Sequence, residues 1–289
     1  MTAPFIAFEN VTFAYPAQSS ASAQLFKQAT SPEIRALNNL SLEVPRGQYV
    51  VVLGHNGSGK STLARHCNAL LLPVRGRVLV DGLLTSEPSN QKAIRDRVGM
   101  IFHNPDNQLI ATMVEDDVAW SLTVRGLPAA LIRERVEEAL VAVDIIDLRK
   151  RPPNQLSGGQ RQRVAIAGIL ALRPACIVAD EATAMLDPLS RGEIVRLLHQ
   201  LHQDYELTII QATHLLEEAV LADRVVVMER GKIVLDGSPV QIFSDLERLR
   251  QLKLAIPEPI ELAARLRSVG QPISPEALTV EAIAREIAR

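Results

Sequence analysis

The chain has 289 residues, 47% hydrophobic, 22% charged and 3% aromatic, with 15 Gly and 17 Pro, a globular composition that excludes disorder and collagen-like repeats and allows one large or two modest domains. Lys and Arg number 31 against 33 Asp and Glu, a formal charge of -2, so the global basic excess of a protein that grips nucleic acid by its phosphates is missing and no nucleic-acid partner is expected. Met1-Thr2-Ala3-Pro4-Phe5 is not a charged leader, and no stretch approaches the ~18 uninterrupted apolar residues of a spanning helix, so a soluble cytosolic chain is expected. Cys67 and Cys176 sit in separate apolar segments and read as two reduced, buried thiols.

Ile6 to Phe13 alternates apolar and polar residues and predicts a strand, and Leu40 to Val44, closed by Pro45-Arg46-Gly47, predicts a second. Between them the small, polar stretch from Ala17 to about Pro32 predicts an exposed, mobile insertion. Tyr49 to Leu53 is a short β-branched run entering a glycine-rich turn, and Ser61 to Leu72 then carries helical periodicity up to Pro73. Arg77 to Val80 and Val98 to Phe102 predict strands, and Pro128 to Ile146 an amphipathic helix whose Arg133-Glu134-Arg135 and Glu137-Glu138 form a solvated face. A helix over Gln162 to Leu172, a buried strand over Ala175 to Ala179, a helix over Ile194 to His202 and a strand over Thr208 to Ala212 follow. This alternation predicts an α/β sheet covered on both faces. Arg224 to Glu229 and Ile233 to Asp236 flank the turn Arg230-Gly231-Lys232 as a hairpin. Beyond Gly237-Ser238-Pro239 short helices broken by Pro257, Pro259, Pro272 and Pro275 put a domain boundary near residue 243.

Gly54-His55-Asn56-Gly57-Ser58-Gly59-Lys60-Ser61 matches G-x-x-x-x-G-K-[ST] between a strand and a helix, the pattern of a phosphate-binding loop. Its glycines let successive N–H groups turn inward around phosphates, so Asn56, Gly57, Ser58, Gly59, Lys60, Ser61 and Thr62 are the expected nucleotide cradle. Lys60 supplies charge to the β- and γ-phosphates and the Ser61 hydroxyl a ligand to Mg²⁺. The apolar strand Cys176-Ile177-Val178-Ala179 ends in Asp180-Glu181. A carboxylate at that end of a parallel strand holds Mg²⁺, directly or through water, and its neighbour faces the attacking water, which assigns Asp180 to the metal and Glu181 to the base or water orienter.

Leu156-Ser157-Gly158-Gly159-Gln160, followed by Arg161-Gln162-Arg163, is on local grounds a glycine turn capping a helix with Ser157. Together with the preceding motifs it resembles the signature of the ATP-binding cassette (ABC) family. The resemblance implies an α/β P-loop NTPase with a central, mostly parallel sheet, an antiparallel β subdomain, an inserted helical subdomain at about 104–170 and a short C-terminal helical extension, divided as 1–243 and 244–289. It implies ATP and Mg²⁺ as ligands and a dimer in which Ser157, Gly158, Gly159 and Gln160 bind, in trans, the γ-phosphate of ATP held by the other subunit. Thr183-Ala184-Met185-Leu186-Asp187 is similar to the family's D-loop, which makes Asp187 a cross-dimer contact. His214 matches the switch histidine that contacts the γ-phosphate and the water, and Tyr15 the aromatic that stacks on adenine, its alternative being a core tyrosine at a strand end. One position departs: His103 stands where the family places a glutamine that touches Mg²⁺ and water. An imidazole serves Mg²⁺ poorly except through a bridging water, so altered coupling or turnover is expected there.

Phe102-His103-Asn104-Pro105-Asp106-Asn107-Gln108-Leu109, Val114-Glu115-Asp116-Asp117-Val118-Ala119 and the run from Asp180 to Pro188 are similar to the ATPases of energy-coupling factor (ECF) importers, in the pattern of the CbiO-like first of two related ATPase subunits. Ala255-Ile256-Pro257-Glu258-Pro259-Ile260-Glu261-Leu262 is similar to the C-terminal helices by which those ATPases dimerise. This resemblance implies a homo- or heterodimer at the cytoplasmic face of the membrane, partnered by a transmembrane coupling protein and a small membrane substrate-binding protein, powering uptake of a vitamin or metal ion. Gln108 to Leu122 is the candidate groove for the coupling protein, although Glu115, Asp116 and Asp117 equally suit a solvated helix start. The alternatives are the ATPase of a conventional ABC importer, a soluble ABC ATPase, and a subunit that holds ATP as a clamp, against which the intact Glu181 argues.

Overall fold

The computed structural model describes residues 3–16 and 35–288, and the expected insertion from Ala17 to about Pro32 lies outside the described residues. Strands β1 (Ile6–Ala14), β2 (Arg35–Val44), β4 (Arg75–Val80) and β5 (Leu83–Leu84) form an antiparallel sheet in the order β2-β1-β4-β5. The alternation in β1 buries Ile6, Phe8, Val11 and Phe13 on one side. Strands β3 (Tyr49–Leu53), β6 (Val98–Ile101), β7 (Cys176–Asp180), β8 (Thr208–Thr213), β9 (Arg224–Glu229) and β10 (Lys232–Gly237) form the second sheet, ordered β10-β9-β3-β8-β7-β6. Every pairing in it is parallel except that of the edge strand β10. The α/β architecture expected from the sequence is therefore present.

The inner strands are apolar throughout because both faces are covered. Tyr49, Val51, Leu53, Ile177 and Ala179 join one core with residues of helices α5 (Gly158–Leu170) and α6 (Pro188–Tyr205). Val50, Val52, Cys176 and Val178 join the other, with Leu63, Ala64 and Cys67 of helix α1 (Lys60–Cys67) and the inward face of the antiparallel sheet. Carrying this alternation one residue further places Asp180 on the α1 side. Both cysteines are free and fully buried, and burial pushes both thiols up.

Helix α2 (Pro88–Arg97) precedes β6, and helices α3 (Val114–Val124), α4 (Ala129–Ala142) and α5 pack together through Val118, Leu122, Val136, Leu140 and Val164. Helix α5 lies so close to β6 that a methyl group on Gly99 would stand 2.1 Å from Ile169 Cγ2. The tail contains α7 (Pro239–Ser244), α8 (Leu246–Gln251), α9 (Glu258–Ser268) and α10 (Val280–Ile287). Phe243, Leu249 and Ile260 belong to the main core, and at roughly 2 kcal/mol per buried side chain they tie the first half of the tail to the body. Ala263, Ile273, Ala277 and Ile283 make a separate cluster. Among the described residues no helix is long and apolar enough to cross a membrane.

Several element ends differ from the periodicity. Helix α1 stops at Cys67 rather than Leu72 because Ala69 turns left-handed (φ 56°) and the Leu70 and Leu71 N–H groups fold back onto the Arg65 carbonyl at 3.0 and 3.1 Å. Helix α4 ends at Ala142 rather than Ile146, with Asp144 at φ 57°. Helix α5 starts four residues earlier than the apolar spacing begins, because Ser157 and Gln160 cap it reciprocally and draw both glycines into its first turn. Helix α6 likewise opens at Pro188, whose fixed φ suits a first helical position, under an Asp187 cap.

Candidate functional site

Strand β3 ends at Leu53 and delivers the chain into the phosphate-loop sequence, and α1 opens at Lys60. Gly59 makes the transition at φ 110°, where a methyl group would stand 2.4 Å from the Ala36 carbonyl oxygen, so only glycine serves. The loop is braced by Ser58 N–H donating to His55 O at 3.1 Å and by Gly231 N–H, from the β9–β10 turn, donating to Ser58 O at 2.8 Å. Asn56 and Gly57 remain exposed while Ser58 and Lys60 are buried. Lys60 Nζ donates to the Gly54 and His55 carbonyls at 2.9 and 3.2 Å and lies 3.4 Å from Glu181 Oε1. Burial pushes its pKa down, and the Glu181 carboxylate acts against that.

The parallel register lines up the strand ends that matter. Leu53 pairs with Thr213, and Ala212 with Asp180, so the loop, Asp180-Glu181 and His214 all leave the sheet at its C-terminal edge, the side where open α/β sheets bind ligands. Asp180 is 4% exposed. Its Oδ2 lies 3.7 Å from Arg65 Nε and its Oδ1 has no hydrogen-bond partner. Burial raises its pKa, whereas the Ser61 hydroxyl, Arg65 and His103 favour the charged form. An orphaned carboxylate oxygen beside a serine hydroxyl suits Mg²⁺, which takes few protein oxygens and completes its shell with water and phosphate. Glu181 sits in the left-handed region (φ 50°), a conformation that costs energy for a non-glycine residue. Its N–H donates to Ala212 O at 2.9 Å, and the turn redirects its side chain off the strand alternation towards Lys60. His214 is half-buried with an unpartnered Nδ1, and His103 is exposed just beyond β6.

Tyr15 follows β1 and shares a hydrogen bond of 3.2 Å between its hydroxyl and Thr62 Oγ1. Its ring meets Phe13 edge-on at 5.0 Å, and Phe13 meets His66 of α1 at the same distance. At 44% exposure Tyr15 keeps an open ring beside the first turn of α1 and is not a core tyrosine.

A second group lies apart. Ser157 is exposed at the N-terminus of α5, and methyl groups on Gly158 and Gly159 would stand 3.3 Å from Leu186 Cδ2 and 3.1 Å from Ser190 Cβ. The signature turn therefore packs directly on the start of α6. Asp187 Oδ1 accepts from the Leu189 and Ser190 N–H groups at 3.1 and 3.0 Å, and the Ser190 hydroxyl together with these bonds holds its carboxyl below the usual range. Among the described residues no hydrogen bond or ion pair links Ser157, Gly158, Gly159, Gln160 or Asp187 to Lys60, Ser61, Asp180, Glu181 or His214.

Beyond β6, Gln108 closes the strand end, accepting from Phe102 N–H at 2.8 Å and donating to Met100 O at 3.2 Å. A cleft of about 740 Å³ follows, lined by Leu109, Ala111, Met113, Pro152, Pro153 and Arg161. Asp117 holds its rim by accepting from the Ile110 and Ala111 N–H groups at 2.7 and 2.8 Å, and Glu115 pairs with Arg149 at 2.9 Å. Val114, Val118 and Leu122 are fully buried, so only the first part of the expected groove, Gln108 to Leu122, faces this cleft. Asp106 pairs with Arg161 at 2.8 Å, joining the loop beyond β6 to the signature helix.

Sequence reasoning passed over a buried polar group beneath the site: Tyr49, Thr183, Gln211, Thr213 and Glu218. Its one signal was Gln211 and Thr213, two polar residues of the same parity in the buried strand β8.

Comparison with known proteins bears on this arrangement. Residues 37–184 match the family model described as ABC transporter. The chain is 50% identical over 281 residues to the energy-coupling factor transporter ATP-binding protein EcfA1 of Symbiobacterium thermophilum, covering 97% of this chain and 96% of that one. It is 40% identical over 287 residues to the protein of the same name from Geobacillus kaustophilus, covering 99% and 98%. Among solved structures, cbiO1 of Clostridium perfringens, described as part of the ABC transporter complex cbiONQ, superposes with a TM-score of 0.76 at 33% identity over 91% of this chain and 100% of that one. A dimeric ATP-binding cassette bound to ADP and Pi superposes with a TM-score of 0.69 at 28% identity, over 81% and 98%.

Proposed function

Because the chain belongs to the ABC transporter family, and within it to the energy-coupling factor ATP-binding proteins, we propose that it is the ATP-hydrolysing subunit of an energy-coupling factor importer, peripheral at the cytoplasmic face of the membrane. The observation that carries the reading is the convergence of Lys60, Ser61, Asp180, Glu181 and His214 at one edge of the parallel sheet, with Lys60 and Glu181 already in contact.

In this reading Lys60 leaves the Gly54 and His55 carbonyls for the β- and γ-phosphates, and the backbone N–H groups of Asn56, Gly57, Ser58 and Gly59 surround them with Thr62. Tyr15 stacks on adenine. Ser61 and Asp180 would hold Mg²⁺, the unpartnered Asp180 Oδ1 being available to it directly or through water. Bound Mg²⁺ supplies neutralisation of charge on the phosphate oxygens. Glu181, released by Lys60, orients the attacking water and accepts its proton, and His214 holds the same water against the γ-phosphate. His103 would serve a bound Mg²⁺ only through a bridging water.

Ser157, Gly158, Gly159 and Gln160, with Asp187 behind them, complete the site of a second subunit, so hydrolysis belongs to a homo- or heterodimer. The cleft of Leu109, Met113 and Pro153 receives a cytoplasmic helix of the transmembrane coupling protein. Its Asp106–Arg161 link to the signature helix gives closure a route to that partner. A small membrane-embedded substrate-binding protein carries the specificity, for a vitamin or a metal ion. The test is Mg²⁺-dependent ATP hydrolysis by the full chain and its Glu181→Gln variant. Turnover by the parent and its loss in the variant support the reading, whereas equal rates overturn it.

A further inference from the structure

Glu218 is 1% exposed, yet donors from two different segments converge on its two carboxylate oxygens. The Thr183 hydroxyl donates to Oε1 and Gln211 Nε2 donates to Oε2 at 2.7 Å. The direction of these bonds is fixed further back, because the Tyr49 hydroxyl donates to Gln211 Oε1 and so orients that amide. Arg191 stands near enough to offset the charge. Burial pushes the Glu218 carboxyl up, and the polar side chains of Thr183, Thr213 and Gln211 around it resist that.

The donors stand next to the residues that carry the chemistry. Thr183 lies in the turn opened by Glu181, where Ala184 N–H donates to Glu181 O at 3.0 Å and Leu186 N–H to Thr183 O at 3.0 Å. Thr213 immediately precedes His214, and its oxygen accepts from Leu215 N–H at 3.1 Å, so both flanks of His214 are held. Glu218 sits in the short helical turn Leu216–Ala219 that follows. A buried ionisable group is weak ground for stability, since apolar side chains of the same volume commonly serve as well. What a saturated carboxylate does supply is a single relative placement of its donors.

We infer that Glu218 is a positioning residue for hydrolysis: by binding Thr183 and Gln211 at once it fixes the left-handed turn at Glu181 against strand β8, whose end bears His214. The inference rests on the reading of those two residues as the groups that handle the attacking water. Glu218 is closed off from solvent, and its effect passes through Thr183 and Gln211.

The test compares the full chain with Thr183→Val, Thr183→Ser, Glu218→Gln and the Thr183→Val/Glu218→Gln double variant, measuring kcat and KM for Mg²⁺-ATP beside thermal melting. Thr183→Val and Glu218→Gln are expected each to lower kcat by about tenfold or more with KM within about twofold, as misplaced catalytic groups do. Thr183→Ser keeps the donor and restores kcat, and the double variant is slower than the slower single one by no more than about twofold, because both changes break one bond. Parental kcat in Thr183→Val, or losses that multiply in the double variant, overturn the inference. A parent chain that hydrolyses no ATP removes the reading beneath it, an outcome distinct from active parent and active variants alike.

Discussion

Lys60 and Glu181 stand 3.4 Å apart, Nζ to Oε1, the first in the phosphate-loop helix and the second beyond the end of β7. Lys60 is 3% exposed and its remaining bonds go to two backbone carbonyls. In the proposed reading the arriving γ-phosphate and Glu181 compete for the same ammonium, and this exchange makes nucleotide binding the event that frees the base. Glu181→Gln is expected to lower turnover by about 10²- to 10⁴-fold while leaving ATP affinity near parental. Lys60→Ala, which removes a charged phosphate donor, is expected to weaken ATP binding by about tenfold to a hundredfold. Single-turnover kinetics and nucleotide titration separate the two.

Tyr15 presents an open ring beside Thr62, braced edge-on by Phe13. Stacking on a base contributes about 1–3 kcal/mol, so Tyr15→Ala is expected to raise the Kd for ATP by about tenfold and Tyr15→Trp to preserve it. Loss of affinity in both would point to the Thr62 hydrogen bond instead.

The site also carries a pH dependence of stability through His66, fully buried on α1 with Nδ1 bound to the Thr62 carbonyl at 2.7 Å. Burial lowers its pKa below 6.5. The unfolded chain therefore binds a proton that the native state refuses, so this contribution is complete above 6.5 and is lost as the pH falls from there through the folded value. Urea denaturation across that range is expected to show the decline, and His66→Gln to flatten it. An unchanged slope in the variant would assign the decline to another group.

Ser157 caps α5 and, in the proposed reading, faces the ATP held by a second subunit. Ser157→Ala is expected to destabilise the chain by about 1 kcal/mol through the lost cap, yet to reduce turnover far beyond that while ATP binding to the isolated subunit stays parental. A rate loss matched by the drop in melting temperature would leave Ser157 as a helix cap alone.

The strand, loop and helix order around Gly54 to Ser61 and the Asp180-Glu181 pair were legible because local periodicity and motif spacing meet in single segments. Helix starts were less so: Gly158 and Gly159 are poor helix formers, and only the bonds between Ser157 and Gln160 draw them in. The tail changes texture near residue 243, but periodicity does not report that Leu249 and Ile260 return to the main core. Glu218 was illegible for a similar reason, since its partners Thr183 and Gln211 come from segments that only the sheet order brings together. The first half of Gln108 to Leu122 faces a cleft and the second half the core, a division that depends on how α3 meets α5.

The central claim is that this ATPase drives a membrane importer, and the composition of its native complex tests it most directly. The chain is tagged in its own cell, gently solubilised membranes are purified through the tag, and proteins present in stoichiometric amount are identified by mass spectrometry. The account requires a transmembrane coupling protein, a small membrane-embedded substrate-binding protein and an ATPase dimer. Recovery of the chain with soluble or nucleic-acid-bound partners alone would contradict it.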